Sequence, residues 1–358
     1  VKAIEHFRVQ RQFRENWAIN FWCNWSQFED DPRTENLVLH LGPTVDYRKL
    51  DPNNINVHMW GEWPNGWFGG RTRGQCVPHN EEIERRFDYV ATFCHMTMDA
   101  RKEFGNYVFV PHVMEPEYMN EQLGFKMEAV QKDIDVFMCA GSGKSSNDPR
   151  FNIISSWHNA FNDLKQYKTV WANQDIKAHY VPEWNILQSL SSRSKISVVF
   201  AAFIAGTPQC REFTKKKFPW LKWKSKKNAT DDEIKEKNHD YEHNLMHLPA
   251  AKPRILDAAF SKSLILCWKD AFAEEDYPYR SAIESVYKLI PDVDFIYFEN
   301  SADLRSKICE VLEDFDNPKY QNMIDSAYKK INNLCSIENI YENYLVPMAE
   351  NGKTIKKK

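Results

Sequence analysis

Residues 133–153, "DIDVFMCAGSGKSSNDPRFNI", join an apolar run, a glycine-rich turn, a lysine and a proline-headed helical start. Gly143-Lys144-Ser145 invites comparison with the phosphate-gripping end of a P-loop. A P-loop needs a glycine five positions ahead of Gly143, because the long turn it opens wraps backbone amides around the phosphates before a helix begins at the lysine. Met138 stands there instead, inside the apolar run, and the helix is delayed to Pro149, capped by Asn147 or Asp148. The stretch therefore reads as a buried strand, a flexible Gly141-Ser142-Gly143 turn and a later helix. Lys144 and Arg150 become the cations of a compact positive pocket at the carboxyl edge of a parallel sheet. A lysine point charge and an arginine fork can together neutralise a diphosphate.

Outward from this stretch the same rhythm repeats. Continuous apolar runs at 17–22, 36–41, 56–60, 88–94 and 106–110 predict buried strands, and "PHVMEPEYM" (111–119), with two prolines, reads as a linker. The pattern restarts with strands at 133–140, 168–172, 195–203, 263–268 and 294–298. Helices are predicted between and after them at 149–164, 183–193, 251–261, 279–289, 301–315 and 317–334. Short alternation of strand and helix predicts α/β architecture with two Rossmann-like domains, 1–113 and 114–340, followed by a C-terminal helix and basic tail at 341–358. Residues 211–244 break the rhythm, being charged and poor in aliphatics, and read as an insertion.

Bulk composition narrows the partners. The 358 residues are 42% hydrophobic with a net charge of -3, so no excess positive charge draws a polyanion, and nucleic acid is not the expected partner. Eight scattered cysteines fit reduced, packed thiols and a cytoplasmic setting better than a disulfide framework. No apolar run is long enough to predict a transmembrane segment. Aromatics reach 14%, and tryptophans cluster among Gly, Asn and Pro in "NFWCNWSQF" (20–28) and "HMWGEWPNGWFGG" (58–70). Trp25, Trp60, Trp63 and Trp67 are thereby candidates for stacking on sugar rings or bases, the other reading being a small apolar cluster under a long loop.

A second candidate cluster lies in "KPRILDAAFSKSLILCW" (252–268). In a helix starting near Pro253, Arg254 falls in the first turn and Asp257 three residues later on the same side. Asp257 could meet ribose hydroxyls, as an acidic residue does in dinucleotide folds. It could equally form an i,i+3 ion pair with Arg254.

Together these segments resemble glycosyltransferases of the GT-B fold, two Rossmann-like domains facing across a cleft. The resemblance runs over about 88–345. It is carried by the strand, helix and "VP" linker in "DYVATFCHMTMDARKEFGNYVFVPHVMEPEYM", by "DVFMCAGS" with "DPRFNIISSW", by "VPEWNILQSLSSRSKISVVF", by "KPRILDAAFSKSLILCW" and by "FENSADLRSKICEVLED". Asp257 stands where retaining members carry a glutamate, the following glycine is replaced by Lys262 or Ser263, and the pattern of basic residues is also similar to inverting fucosyltransferase-type enzymes. The stereochemical outcome therefore stays open.

The resemblance implies transfer of a hexosyl or deoxyhexosyl group from a UDP- or GDP-sugar to a glycan or glycoconjugate acceptor. Residues 1–113 would form the acceptor side and 114–340 the donor side. It implies Gly141, Ser142, Gly143, Tyr180, Val181, Glu183, Arg254 and Asp257 at the nucleotide sugar, and Lys144 and Arg150 at the leaving diphosphate. Glu62, among aromatics, is the first candidate for a general base, ahead of His79, His95 and Asp99. With no Asp-x-Asp in a strand-end context suited to a metal-bound diphosphate, no metal or other cofactor is expected, and the spacing of His243 and His247 lacks the glutamate of a zinc motif. Two other classes remain open: an NTPase- or kinase-like α/β enzyme, and a noncatalytic sugar-binding protein.

Overall fold

In this computed structural model the described residues are 1–5, 23–41, 50–59, 85–93, 95, 98, 105–139, 157, 159–172, 184–205, 246–249, 251, 253–270, 273 and 280–356. They form two compact units, Val1–Gly124 with Asn332–Lys358, and Phe125–Ile331.

The first unit holds a parallel sheet of β1 (Lys2–Glu5), β2 (Leu37–Leu41), β3 (Ile55–Met59), β4 (Tyr89–Thr92) and β5 (Tyr107–Phe109), side by side in that order. β2 and β3 are buried at every position, as continuous apolar runs in a parallel sheet should be. Two of these positions are histidines. His40 Nε2 lies 2.9 Å from Asn56 Oδ1, and His58 stacks on Phe87 with ring centroids 4.8 Å apart. "PHVMEPEYM" is extended only to Glu115, after which Pro116 opens α1 (Pro116–Leu123) from the first helical position. Gly124, at φ 75°, closes that helix in the left-handed conformation.

The second unit carries β6 (Ile134–Cys139), β7 (Thr169–Ala172), α2 (Trp184–Ser192), β8 (Ser194–Phe200), β9 (Ala202–Ala205), β10 (Met246–Pro249), α3 (Pro253–Phe260), β11 (Leu264–Trp268), α4 (Ala282–Ser285), β12 (Ile296–Phe298), α5 (Ser301–Glu313) and α6 (Pro318–Cys335). Its parallel sheet has the order β12-β11-β8-β6-β7. One sheet face packs Val136, Met138, Ile196, Val198 and Leu266 against Trp157, Phe161, Leu304, Ile308 and Met323. On the other face Phe137 and Cys139 lie with Leu187 of α2. The alternation along β6 follows from the two-residue period of a strand.

Several predicted boundaries move. The strand expected at 195–203 splits: β8 stays in the large sheet, while β9 pairs antiparallel with β10 on either side of residues 206–245. The charged insertion expected at 211–244, and the strand expected at 17–22, lie outside the described residues. The helix expected over 279–289 reduces to Ala282–Ser285. The units divide after Gly124 and after Ile331, rather than at 113/114 and 340/341. The reason is packing: α7 (Ile337–Ile340), the π-helical turn Tyr341–Leu345 and α8 (Val346–Lys356) bury Ile337, Ile340, Tyr341, Leu345 and Ala349 against Leu37, Leu39, Ile55 and Val57. Polar contacts reinforce this return. Tyr341 stacks on Phe28 with centroids 3.8 Å apart, its hydroxyl lies 2.8 Å from Thr34 Oγ1, and Arg33 bridges Asp31 and Glu342. No described helix is long and apolar enough to cross a membrane.

A tight point of the return is Gly352 on α8, where a Cβ would fall 2.8 Å from Ile55 Cδ1, 2.9 Å from Cγ1 and 3.0 Å from Cγ2. Cγ1 and Cγ2 hang directly on the Ile55 Cβ within β3 and have little room to move. Gly352→Val should therefore lower unfolding stability by about 2 kcal/mol, the size of an overpacking penalty. Ile55→Ala in the same chain should recover part of that loss. Denaturant unfolding of the two single variants and the double variant checks both outcomes.

Candidate functional site

The order β12-β11-β8-β6-β7 places the first strand of the second unit beside the third, a doubly wound arrangement in which the chain leaves β6 toward one side and β8 toward the other. The topological switch point lies between β6 and β8, and in open α/β sheets ligands bind outside the carboxyl ends of the strands at that point. Cys139 is the last residue of β6 there, and Gly141, Ser142 and Gly143 follow it in sequence, outside the described residues.

Two helices are aligned on this edge. α2 ends just before β8 begins and α3 ends just before β11 begins, so both run counter to the strands and bring their amino ends to the carboxyl edge. Their dipoles thus place partial positive charge where an anion would sit. The seam between them is polar and small-residued. Ser191 Oγ donates to the Asp257 carbonyl at 3.4 Å, Ser261 Oγ donates to Ser191 Oγ at 3.2 Å, and Ser192 Oγ lies 3.4 Å from Ser261 Oγ. At the opposite edge, Lys132 Nζ donates to the Ser192 carbonyl at 2.8 Å and to the Ser261 carbonyl. One ammonium thereby satisfies the carboxyl ends of both helices, where a cation is favoured.

The most unusual group in the seam is Asp257, 2% exposed. Arg254 Nη1 donates to its Oδ2 at 2.6 Å, and Gln188 Nε2 donates to its Oδ1. Gln188 is fully buried, and its Oε1 has no hydrogen-bond partner among the described residues. Burial pushes the Asp257 carboxyl up from the usual carboxylate range, while Arg254 and Gln188 pull against that shift. Burial also works against the Arg254 charge, but Cys139 and Asp257 beside it more than offset this and keep the guanidinium protonated. The Cys139 thiol, itself pushed up by burial, faces the same guanidinium. Arg254 is thus pinned at the carboxyl end of β6 with 22% of its side chain still exposed.

The structure brings Arg254 and Asp257 together as the i,i+3 spacing implies. Trp25 departs from the expectation of an open sugar-facing ring. It is 5% exposed, lies in a 3-10 turn (Trp25–Phe28) and packs in the core of the first unit with Cys23 and Tyr341. The remaining sequence-predicted residues lie outside the described ones: Glu62, Trp60, Trp63 and Trp67 in the first unit, and Gly141, Ser142, Gly143, Lys144, Arg150, Tyr180, Val181 and Glu183 in the second. His79, Asp99 and His243 lie outside them too, His247 falls within β10, and His95 stacks on Phe109 at 3.9 Å. Sequence reasoning missed Gln188 and Cys139. Gln188, Ser191 and Ser192 recur at i, i+3 and i+4 on a predicted helix, a buried polar stripe that was legible.

No family model matches the chain, and no curated protein matches it in sequence. Solved structures match it in fold. An alpha-glucosyltransferase in complex with UDP and a 13-mer DNA containing a central A:G mismatch aligns with a TM-score of 0.50 at 10% identity, over 87% of this chain and 79% of that one. The sucrose-phosphate synthase of Thermosynechococcus elongatus aligns over 98% of this chain and 80% of that one, at 8% identity and a TM-score of 0.45. A glycosyltransferase from Rickettsia africae ESF-5 aligns over 98% of both chains, at 10% identity and a TM-score of 0.42. The class that the fold defines is the two-domain α/β architecture of GT-B glycosyltransferases, as the resemblance in sequence implied.

The helix pair also makes a pH prediction. Burial lowers the Lys132 pKa to about 8, against an ordinary lysine value of about 10.4. Below pH 8 Lys132 is charged in both folded and unfolded chains and its burial penalty is constant. Between about pH 8 and 10.4 the folded state sheds the proton first, so this group's contribution to stability rises with pH, by up to about 3 kcal/mol. Lys132→Met should lack that rise. The difference between parent and variant, measured by denaturant unfolding at pH 7, 8, 9 and 10, isolates the Lys132 contribution from those of all other groups.

Proposed function

We propose that this protein is a glycosyltransferase that moves a hexosyl or deoxyhexosyl group from a UDP- or GDP-sugar to a hydroxyl of a glycan or glycoconjugate, without a metal. The observation that supports this best is Arg254, held by a buried carboxylate at the switch point of a doubly wound sheet within a GT-B fold. As the glycosidic bond breaks, the leaving diphosphate gains negative charge, so fixed cations stabilise the transition state more than the ground state. Arg254, Lys144 and Arg150 supply those cations, and the amino ends of α2 and α3 add to the same field. Gly141, Ser142 and Gly143, with little side-chain bulk, admit the diphosphate close to the backbone, and Tyr180, Val181 and Glu183 receive the base. An inverting reaction takes its acceptor proton on a carboxylate of the first unit, for which Glu62 is the candidate, with Trp60, Trp63 and Trp67 as the acceptor platform. The setting is cytoplasmic, and nucleic acid is not the acceptor.

Titration calorimetry with UDP, GDP and their glucose conjugates, in the presence of EDTA, tests the reading. At least one should bind, and Arg150→Ala should weaken that binding by about tenfold to a hundredfold, the worth of a charge-assisted hydrogen bond. Slow hydrolysis of the bound nucleotide sugar should accompany binding. If no nucleotide binds until magnesium is added and ATP alone then does, the protein belongs to another class of α/β enzyme.

A further inference from the structure

We infer that Asp257 is a positioning residue, which with Gln188 forms a buried clamp that fixes the Arg254 guanidinium beside the carboxyl end of β6 for an anionic ligand. The inference rests on the donor-site reading above and goes beyond it. Asp257 acts through Arg254 rather than by touching the ligand.

Three observations carry it. The two Asp257 oxygens are divided between two donors on different helices, Arg254 Nη1 at 2.6 Å and Gln188 Nε2, so the carboxylate is oriented from both sides. Asp257 is 2% exposed and Gln188 fully buried, whereas Arg254 keeps part of its side chain open, so the clamp is interior and what it holds reaches the surface. Finally, Gln188 serves the carboxylate with its amide nitrogen while its own Oε1 goes without a partner among the described residues. Stability alone would not select this arrangement. A buried ion pair is weak support for a fold, and an unsatisfied buried acceptor is a cost. Preorganisation does account for it. A guanidinium locked in one rotamer meets an incoming anion without reorganising, and the planar fork keeps donors free after one nitrogen is committed to the aspartate.

A double-mutant cycle on the full chain tests the clamp, with calorimetric affinity for UDP or GDP in EDTA as the readout and thermal melting recorded alongside. Asp257→Leu, which fills the site without charge, should weaken binding about tenfold, and Arg254→Met at least as much. The double variant should bind no more weakly than Arg254→Met alone, because Asp257 then has nothing to place. Asp257→Asn should stay within about threefold of the parent, since its amide oxygen still accepts from Arg254 and a turned Gln188 accepts from the new amide. Gln188→Leu, which spares the ion pair, should weaken binding in the parent and leave Arg254→Met unchanged. It decides the matter if Asp257→Leu does not fold.

The inference is overturned if Asp257→Leu and Gln188→Leu both bind like the parent, or if the losses from Asp257 and Arg254 multiply. Parental binding that Arg254→Met leaves intact also overturns it, while the donor-site reading stands on Lys144 and Arg150. A parent that binds neither nucleotide overturns both.

Discussion

A carboxylate buried between two parallel helices is the constraint on which the second unit is organised. Asp257 sits at 2% exposure where α2 meets α3, and a bare charge there would be severely penalised. Each neighbouring feature answers that penalty. Arg254 supplies the opposite charge from the preceding turn, Gln188 supplies a neutral donor from the facing helix, and small serines let the helices approach closely enough for both to reach. Placing Arg254 in the first helical turn also fixes where the positive charge emerges. The helices run counter to the strands, so their first turns stand at the carboxyl edge beside Cys139.

The opposite edge shows the complementary solution. The carboxyl ends of α2 and α3 carry partial negative charge and unpaired carbonyls, and Lys132, just before β6, bonds one carbonyl from each. Charge therefore alternates along the helix pair, with an ammonium at the amino edge of the sheet, a carboxylate in the middle and a guanidinium at the carboxyl edge. Neither Lys132 nor Asp257 belongs to an ordinary apolar core. Together they fix how far the two helices can slide along each other, since a shift of one turn would separate both sets of partners.

Much of this architecture was legible because buried parallel strands read as uninterrupted apolar runs. β2, β3, β4, β5, β6, β7, β11 and β12 fall within one or two residues of their sequence expectations. What failed is instructive. "PHVMEPEYM" reads as a linker because proline usually ends regular structure, yet Pro116 occupies the one helical position that proline suits. The return of the C-terminal helices to the first unit leaves no local mark. It is decided by the match between Ile337, Ile340, Tyr341 and Leu345 and an apolar sheet face hundreds of residues earlier. Trp25 misled because its neighbours look like a surface turn. A 3-10 turn capped by Asn24 carries its ring inward, which only the capping geometry reveals. At the site, the Arg254–Asp257 spacing was readable, but Gln188 was not joined to it, because contact between α2 and α3 is a tertiary fact.

The chemistry of the clamp explains why the cation there is arginine. A lysine in the first turn of α3 would bring a single ammonium, and pairing it with Asp257 at 2.6 Å would spend most of its charge and directionality on the aspartate. A guanidinium spreads its charge over a rigid plane with five N–H donors. One nitrogen can be tied to the buried carboxylate while the remaining donors keep a fixed direction toward the edge of the sheet. The delocalised group is also more weakly hydrated, so holding it partly buried beside Cys139 costs less than burying an ammonium. In return, the carboxylate behind it reduces the net field, so what the clamp provides is orientation more than charge. That division suits a site at which the amino ends of two helices already contribute positive potential and the missing ingredient is a donor held at one angle.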